Sequence, residues 1–200
     1  MATKVKICGL SRIDDIIAVN AVLPDFIGFV FAPSRRQIDE AIAIMLKTRL
    51  DPRIKAVGVF VDQLPEEIAS IYISGVIDLV QLHGEEDEEY ITRLKSLCGC
   101  PVIKAISVGE FLPPYPENAD FLLFDTLAQQ RGGSGLAFDW ELLSGFDGLP
   151  FFLAGGLTAA NALMAVDACS PFCVDTSSGV ETGGYKDAAK IRDFVLMVRK

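Results

Sequence analysis

Histidine and positive charge are both scarce in this sequence. One histidine, His83, stands against five cysteines (Cys8, Cys98, Cys100, Cys169 and Cys173), and no C-x-x-C pair occurs. The usual His- and Cys-bearing zinc sets are therefore excluded, and no metal is expected. An odd number of cysteines with no secretory context reads as free thiols, one of which can be chemical. Lys and Arg fall short of Asp and Glu, giving a net charge of -9. Generic attraction to nucleic acid phosphates or to anionic lipid headgroups is thereby disfavoured, so an anionic ligand has to be held by local groups.

Long apolar runs are also missing. The longest stretch without a charge, 148–166, is cut by Pro150, Gly155-Gly156, Thr158 and Asn161 into strand, loop and helix pieces, which excludes a membrane span. The first residues, MATKVKICGLSRIDD, contain no apolar signal core followed by small residues, so a cytoplasmic location is expected. Disorder is excluded by 50% hydrophobic and 22% charged residues, with a mean hydropathy of +0.36. At 200 residues the prior is one domain, 1–200, large enough to remove roughly 70% of its unfolded-state surface from water.

What is present is an alternation. Apolar runs at Lys4–Cys8, Asp25–Phe31, Ile54–Val61, Ile77–His83, Val102–Ser107, Asp120–Thr126, Pro150–Ala154 and Phe172–Thr176 read as strands. AVGVFV and FLLF are apolar at every position, as in parallel strands covered on both faces. Between them lie helical candidates: from the capping box Ser11-x-x-Asp14 to about Leu23, Asp39-Glu40 to about Thr48, Pro65–Ser74, Glu86–Leu97, Thr158–Ala168 and Asp187–Val198. The interval 108–119 holds three prolines, and 127–149 has room only for a short helix near Phe138–Ser144. The fifth and sixth helices should therefore be reduced. This pattern predicts an α/β fold, a closed parallel (βα)8 TIM barrel. A doubly wound sheet would want a Gly-x-Gly-x-x-Gly turn after the first strand, where the chain has Cys8-Gly9-Leu10-Ser11.

In a barrel the site lies at the C-terminal ends of the strands. Cys8 ends the first strand with Lys6 on the same face, where an ammonium would lower the thiol pKa and make a base or nucleophile; alternatively Cys8 simply packs. Asp125 ends the run FLLFD, where a desolvated carboxyl can stay protonated as an acid, or it caps the next turn. Gln81 and His83 share a strand face and can both point at a ligand; alternatively the lone histidine is a structural donor. Lys104 is read as an inward buried cation, with Asp175 as its partner or as a ligand to sugar hydroxyls. The Arg35-Arg36 pair can grip a carboxylate by the guanidinium fork or remain solvated. AGGLTAAN, with Gly155 and Gly156, and DTSSGVE, with Ser178 and Gly179, offer free backbone N–H groups where barrels hold phosphate, a site that needs no net positive charge. The acidic run Glu85–Glu89 reads as a solvated helix start. Cys98-Gly99-Cys100 falls at the opposite end of the barrel and reads as structural.

KICGL (6–10), GFVFAPSRR (28–36), VGVFVD (57–62), VQLHGEE (80–86), LLFDT (122–126), GGSGLAFDW (132–140), LAGGL (153–157) and VDTSSGVE (174–181) occur together in this order. Taken together they resemble the phosphoribosylanthranilate isomerase family over nearly the whole chain. The resemblance implies an Amadori rearrangement of a small-molecule phosphosugar without metal or organic cofactor. It places the general base at Cys8, the general acid at Asp125, the substrate carboxylate at Arg36, and the phosphate at Gly155, Gly156, Ser178 and Gly179. Lys6, Gln81, His83 and Asp175 stand as supporting residues. A monomer or homodimer, with no nucleic acid or membrane partner, is expected. The alternatives are another phosphosugar-barrel isomerase or a non-catalytic phosphosugar-binding homologue. The histidine-pathway isomerase would carry an aspartate where Cys8 stands, and a metal-dependent epimerase would need more than one histidine.

Overall fold

The computed structural model describes residues 2–126 and 139–200. Eight parallel strands form a closed barrel in sequential order: β1 (Lys4–Cys8), β2 (Phe26–Val30), β3 (Lys55–Phe60), β4 (Leu79–Leu82), β5 (Val102–Val108), β6 (Phe121–Thr126), β7 (Phe151–Leu153) and β8 (Cys173–Thr176). Closure comes from β1 pairing with β8, Lys6 opposite Asp175. Each observed strand lies at or within its apolar run to within a residue, because parallel strands covered on both faces must be apolar throughout.

The helices are α1 (Ile13–Val22), α2 (Glu40–Lys47), α3 (Pro65–Ile73), α4 (Glu88–Cys98), α5 (Ala162–Cys169) and α6 (Ala188–Val198). Asp39, Asp87 and Asp187 cap α2, α4 and α6 by accepting from backbone N–H groups of the first turn. At α1 the expected Ser11/Asp14 box is shifted by one residue. Arg12 occupies the N-cap, and the buried Asp15 carboxylate accepts from the Ser11 and Arg12 amides at 3.0 and 3.1 Å. At α5 the helix begins later than expected, because Asn161 Oδ1 accepts from Thr158 N–H at 2.8 Å and holds 158–161 in a turn.

No helix separates β5 from β6, and between β6 and β7 the described residues form only a 3-10 turn, Trp140–Leu143. Prolines at 113, 114 and 116 prevent the first of these helices, since each removes an N–H and clashes with the preceding turn. The part of the predicted short helix before Asp139 lies outside the described residues. Among the described residues, no helix is long and apolar enough to cross a membrane. All five cysteines are free, and Gly99 between Cys98 and Cys100 closes α4 in the left-handed conformation.

Two hydrophobic layers follow from the two-residue period of the strands. Val5, Ile7, Ile27, Phe29, Val80, Leu82, Leu122 and Phe124 pack outward against the helices, while Phe26, Val57, Leu79, Ile103, Leu123, Phe152 and Cys173 fill the barrel interior. Phe26, Phe121, Phe152 and Phe172 pack in tilted and edge-on contacts at the N-terminal end, with Lys4 over the Phe172 ring. That end is plugged, and the polar residues are left to the other.

Candidate active site

Counting outward along each strand from the interior layer gives the mouth of the barrel. Cys173 is followed by Asp175 on the same face, Leu79 by Gln81 and His83, and Leu123 by Asp125. All four polar side chains, with Cys8, line one cavity of about 570 Å³, a volume suited to a small metabolite. The sequence-predicted Arg36, Gly155, Gly156, Ser178 and Gly179 line the same cavity.

Beneath the cavity Lys6 is fully buried. Its ammonium donates to Asp175 Oδ2 at 2.7 Å and to Gln81 Oε1 at 2.9 Å. Burial alone would lower the Lys6 pKa, but Asp175 and, to a smaller extent, Cys8 together outweigh it and the ammonium is held firmly charged. Asp175 Oδ1 is buried, faces no protein donor among the described residues, and belongs to a cavity-lining side chain, so it is ready to accept from a ligand hydroxyl. Losing the lysine would strand this carboxylate. Lys6→Met is therefore expected to cost about 3–5 kcal/mol, read from urea unfolding, and Lys6→Met/Asp175→Leu to recover most of it; an additive double variant would overturn the pairing.

For Cys8 the structure corrects the expectation of a lowered thiol pKa. Desolvation pushes the thiol up, and this exceeds the downward pull of Lys6 and Lys186. The side chain rests against the β2 backbone at Gly28, where a Cβ would lie 2.6 Å from Sγ. Gly28 is thus a site residue that composition could not flag, because its role is to be absent as a side chain.

Asp125 stands at the end of β6. Its Oδ1 accepts from Thr126 N–H at 2.7 Å, and its Oδ2 lies 3.7 Å from His83 Nε2. On the other side of the ring, Gln81 Nε2 is 2.8 Å from His83 Nδ1.

At the rim, a hairpin of β9 (Glu181–Thr182) and β10 (Tyr185–Lys186) turns at Gly183-Gly184, both with positive φ, and sets Lys186 opposite Glu181. Glu181 is nearly buried and receives Arg36 Nε at 2.7 Å, Arg36 Nη2 at 3.1 Å, Arg35 Nη2 at 2.6 Å and Lys186 Nζ at 2.8 Å. Burial would raise this carboxyl, but the hydrogen bonds from Arg36 and Lys186 prevail and bring it down to about 2. Arg36 is the more enclosed of the two arginines, with 23% of its side chain exposed against 57% for Arg35. Lys186 also donates to Ser177 O at 2.8 Å, and Ser177 Oγ donates to Cys8 O at 2.9 Å. Glu181 and Lys186 were not singled out from the sequence as site residues; the Gly-Gly hairpin signal between them was the available cue.

The loops after β7 and β8 abut. Thr176 Oγ1 donates to Leu157 O at 2.7 Å, and a Cβ at Gly179 would collide with that same carbonyl. Gly155 and Gly156 both adopt positive φ, which exposes backbone at the mouth without strain. A 3-10 turn, Ser178–Val180, follows β8, the arrangement by which barrels hold phosphate.

Two expectations fail together. Lys104 has the parity opposite to Ile103 and therefore points to the outer layer, where its partner is Glu86 at 2.8 Å, and Asp175 belongs to Lys6 instead. Glu86, read as part of a solvated helix start, is buried and also accepts from the amides of Asp62 and Gly84 at 2.8 and 2.9 Å. It braces the loops after β3 and β4.

Comparison with known proteins gives a consistent result. A family model described as N-(5'phosphoribosyl)anthranilate (PRA) isomerase matches residues 5–196. The N-(5'-phosphoribosyl)anthranilate isomerase of Endomicrobium trichonymphae is 49% identical over 197 residues, covering 98% of both chains. A crystal structure of phosphoribosyl anthranilate isomerase in complex with reduced 1-(o-carboxyphenylamino)-1-deoxyribulose 5-phosphate superposes with a TM-score of 0.84 at 32% identity, covering 98% of both chains. A structure of monomers generated from the dimeric enzyme of Thermotoga maritima gives 0.82 at 32% identity, again covering 98% of both.

Proposed function

The chain belongs to the N-(5'-phosphoribosyl)anthranilate isomerase family, and we propose that its barrel mouth performs the family's reaction with Cys8 as general base and Asp125 as general acid. The protein is an aldose–ketose isomerase of tryptophan biosynthesis. It converts N-(5-phosphoribosyl)anthranilate to 1-(2-carboxyphenylamino)-1-deoxyribulose 5-phosphate by an Amadori rearrangement.

The observation that carries the assignment is the sharing of one cavity by an acid, a base, an arginine and two glycine loops. Asp125 protonates the furanose ring oxygen, the C1–O bond breaks toward that oxygen, and the anthranilate nitrogen lone pair forms the C=N bond of a Schiff base. Cys8 thiolate removes the C2 proton, whose electron pair makes the C1–C2 double bond while the C=N pair returns to nitrogen. The enolamine then tautomerises to the ketone. Acid and base act in separate steps, and each needs to be within reach of only one substrate atom.

The amides of Gly155, Gly156, Ser178 and Gly179 cradle the phosphate, which explains how a protein with a net charge of -9 holds a dianion. Asp175 Oδ1 accepts from a sugar hydroxyl. Arg36 binds the anthranilate carboxylate: its Nε/Nη2 edge is engaged by Glu181, and Nη1 remains to be offered to the ligand. Arg36→Met is expected to raise KM about 10- to 100-fold, the loss of one charge-assisted contact of about 1.5–3 kcal/mol, with a smaller effect on kcat. Steady-state kinetics of Arg36→Met beside Arg35→Met decide the matter, and an effect confined to Arg35→Met would transfer the role.

We place the enzyme in the cytoplasm, as a monomer or homodimer, the two forms named for the Thermotoga maritima relative. The test of the whole reading is to generate phosphoribosylanthranilate in situ and follow the loss of its fluorescence. Acceleration by this protein is expected. Its absence would end the isomerase reading, and binding without conversion would favour a sensor.

A further inference from the structure

We propose that the hydrogen-bond chain Asp175–Lys6–Gln81–His83 fixes the histidine proton on Nε2 and presents it to the sugar oxygen that Asp125 protonates, making His83 a catalytic donor with Lys6 and Gln81 as positioning residues. The inference rests on the reading of Asp125 as the acid.

The argument is a count of donors. A lysine ammonium can only donate, and Lys6 donates to Asp175 Oδ2 at 2.7 Å and to Gln81 at 2.9 Å. The carboxamide of Gln81 must therefore turn its oxygen to Lys6, since the flipped amide would set NH2 against an ammonium. Lys6 and Gln81 are 0% and 2% exposed, so water offers neither an easy substitute partner. With its oxygen committed, Gln81 meets His83 Nδ1 at 2.8 Å through Nε2, a group that only donates. His83 Nδ1 has to accept, and the ring proton is left on Nε2.

That nitrogen lies 3.7 Å from Asp125 Oδ2, beyond hydrogen-bond reach, and both side chains line the cavity. An oxygen of the substrate can sit within reach of both groups. As the C1–O bond breaks, the ring oxygen takes its proton from Asp125 and a hydrogen bond from His83 Nε2–H, and the histidine transfers nothing. A donor aimed at an oxygen gaining electron density acts on the transition state more than on the bound sugar.

Because His83 is the sole histidine, 15N labelling of histidine gives an unambiguous NMR reading of both ring nitrogens in the intact protein. Wild type at neutral pH is expected to show a protonated Nε2 and an unprotonated Nδ1. Gln81→Glu replaces the donor facing Nδ1 by an acceptor, and should move a proton onto Nδ1; if that variant does not fold, Gln81→Met should leave a mixture of tautomers. His83→Ala is expected to lower kcat about 10²- to 10³-fold with little change in KM. A wild-type ring protonated on Nδ1 or on both nitrogens, or a pattern unmoved by Gln81 substitution, overturns the inference. An active enzyme with the wrong tautomer would sink this proposal alone, whereas an inactive wild type would sink the isomerase reading and leave the tautomer measurement standing.

Discussion

Cys8→Ala is expected to lower kcat about 10²- to 10⁴-fold, the usual contribution of a positioned general base, while the unfolding midpoint in urea stays close to that of the parent. The fold should tolerate the change because the thiol's interaction with the buried Lys6 ammonium is weaker than that of the Asp175 carboxylate, which remains. Lys6 keeps Asp175 and Gln81 as partners, and Gly28 leaves open backbone beside the vacated space. The same residue sets a pH dependence. The base must be the thiolate, and desolvation has raised the thiol more than Lys6 and Lys186 lower it. The kcat/KM of the wild type should accordingly climb with pH through a limb lying above the ordinary thiol range, and that limb should be missing from whatever residual activity Cys8→Ala retains. An alanine variant with parental kcat, or one that keeps the limb, would remove Cys8 from the mechanism.

Asp125→Asn should be about as damaging, roughly 10²- to 10⁴-fold in kcat, for a different reason. The amide preserves size and can still accept from Thr126 N–H through its oxygen, while the transferable proton is lost. Ring opening then becomes the slow step. Substrate deuterated at C2 separates this from loss of the base: in Asp125→Asn the isotope effect should fall to near one, because C2–H cleavage follows the step that has been slowed. A large isotope effect in that variant would assign Asp125 to proton removal at C2 and exchange the two roles.

Much of this site is legible in the sequence. β strands alternate with period two, so once Leu123, Leu79 and Cys173 are interior, Asp125, Gln81, His83 and Asp175 must share that face. The same rule, applied strictly, would have sent Lys104 outward, since Ile103 beside it is interior. A buried cation needs a partner on either face, so its charge alone does not tell which way Lys104 points, and only the strand parity does. The capping box of α1 was displaced for a smaller reason: Asp14 and Asp15 are adjacent acids, and only the helix phase decides which one turns back to the amides of Ser11 and Arg12.

The sequence by itself determined the number, order and facing of the strands, the loss of the helix between β5 and β6, and the identity of the residues at the strand ends, because each of these is a local property of period, proline and glycine. Tertiary structure alone decided who meets whom. Lys6 and Asp175 are 169 positions apart and touch only because β1 closes on β8. Glu181 gathers Arg35, Arg36 and Lys186 only because a hairpin folds back over the mouth. Even the sign of the Cys8 shift was settled by burial against two nearby cations, a balance of opposing energies that depends on where the chain places solvent and charge.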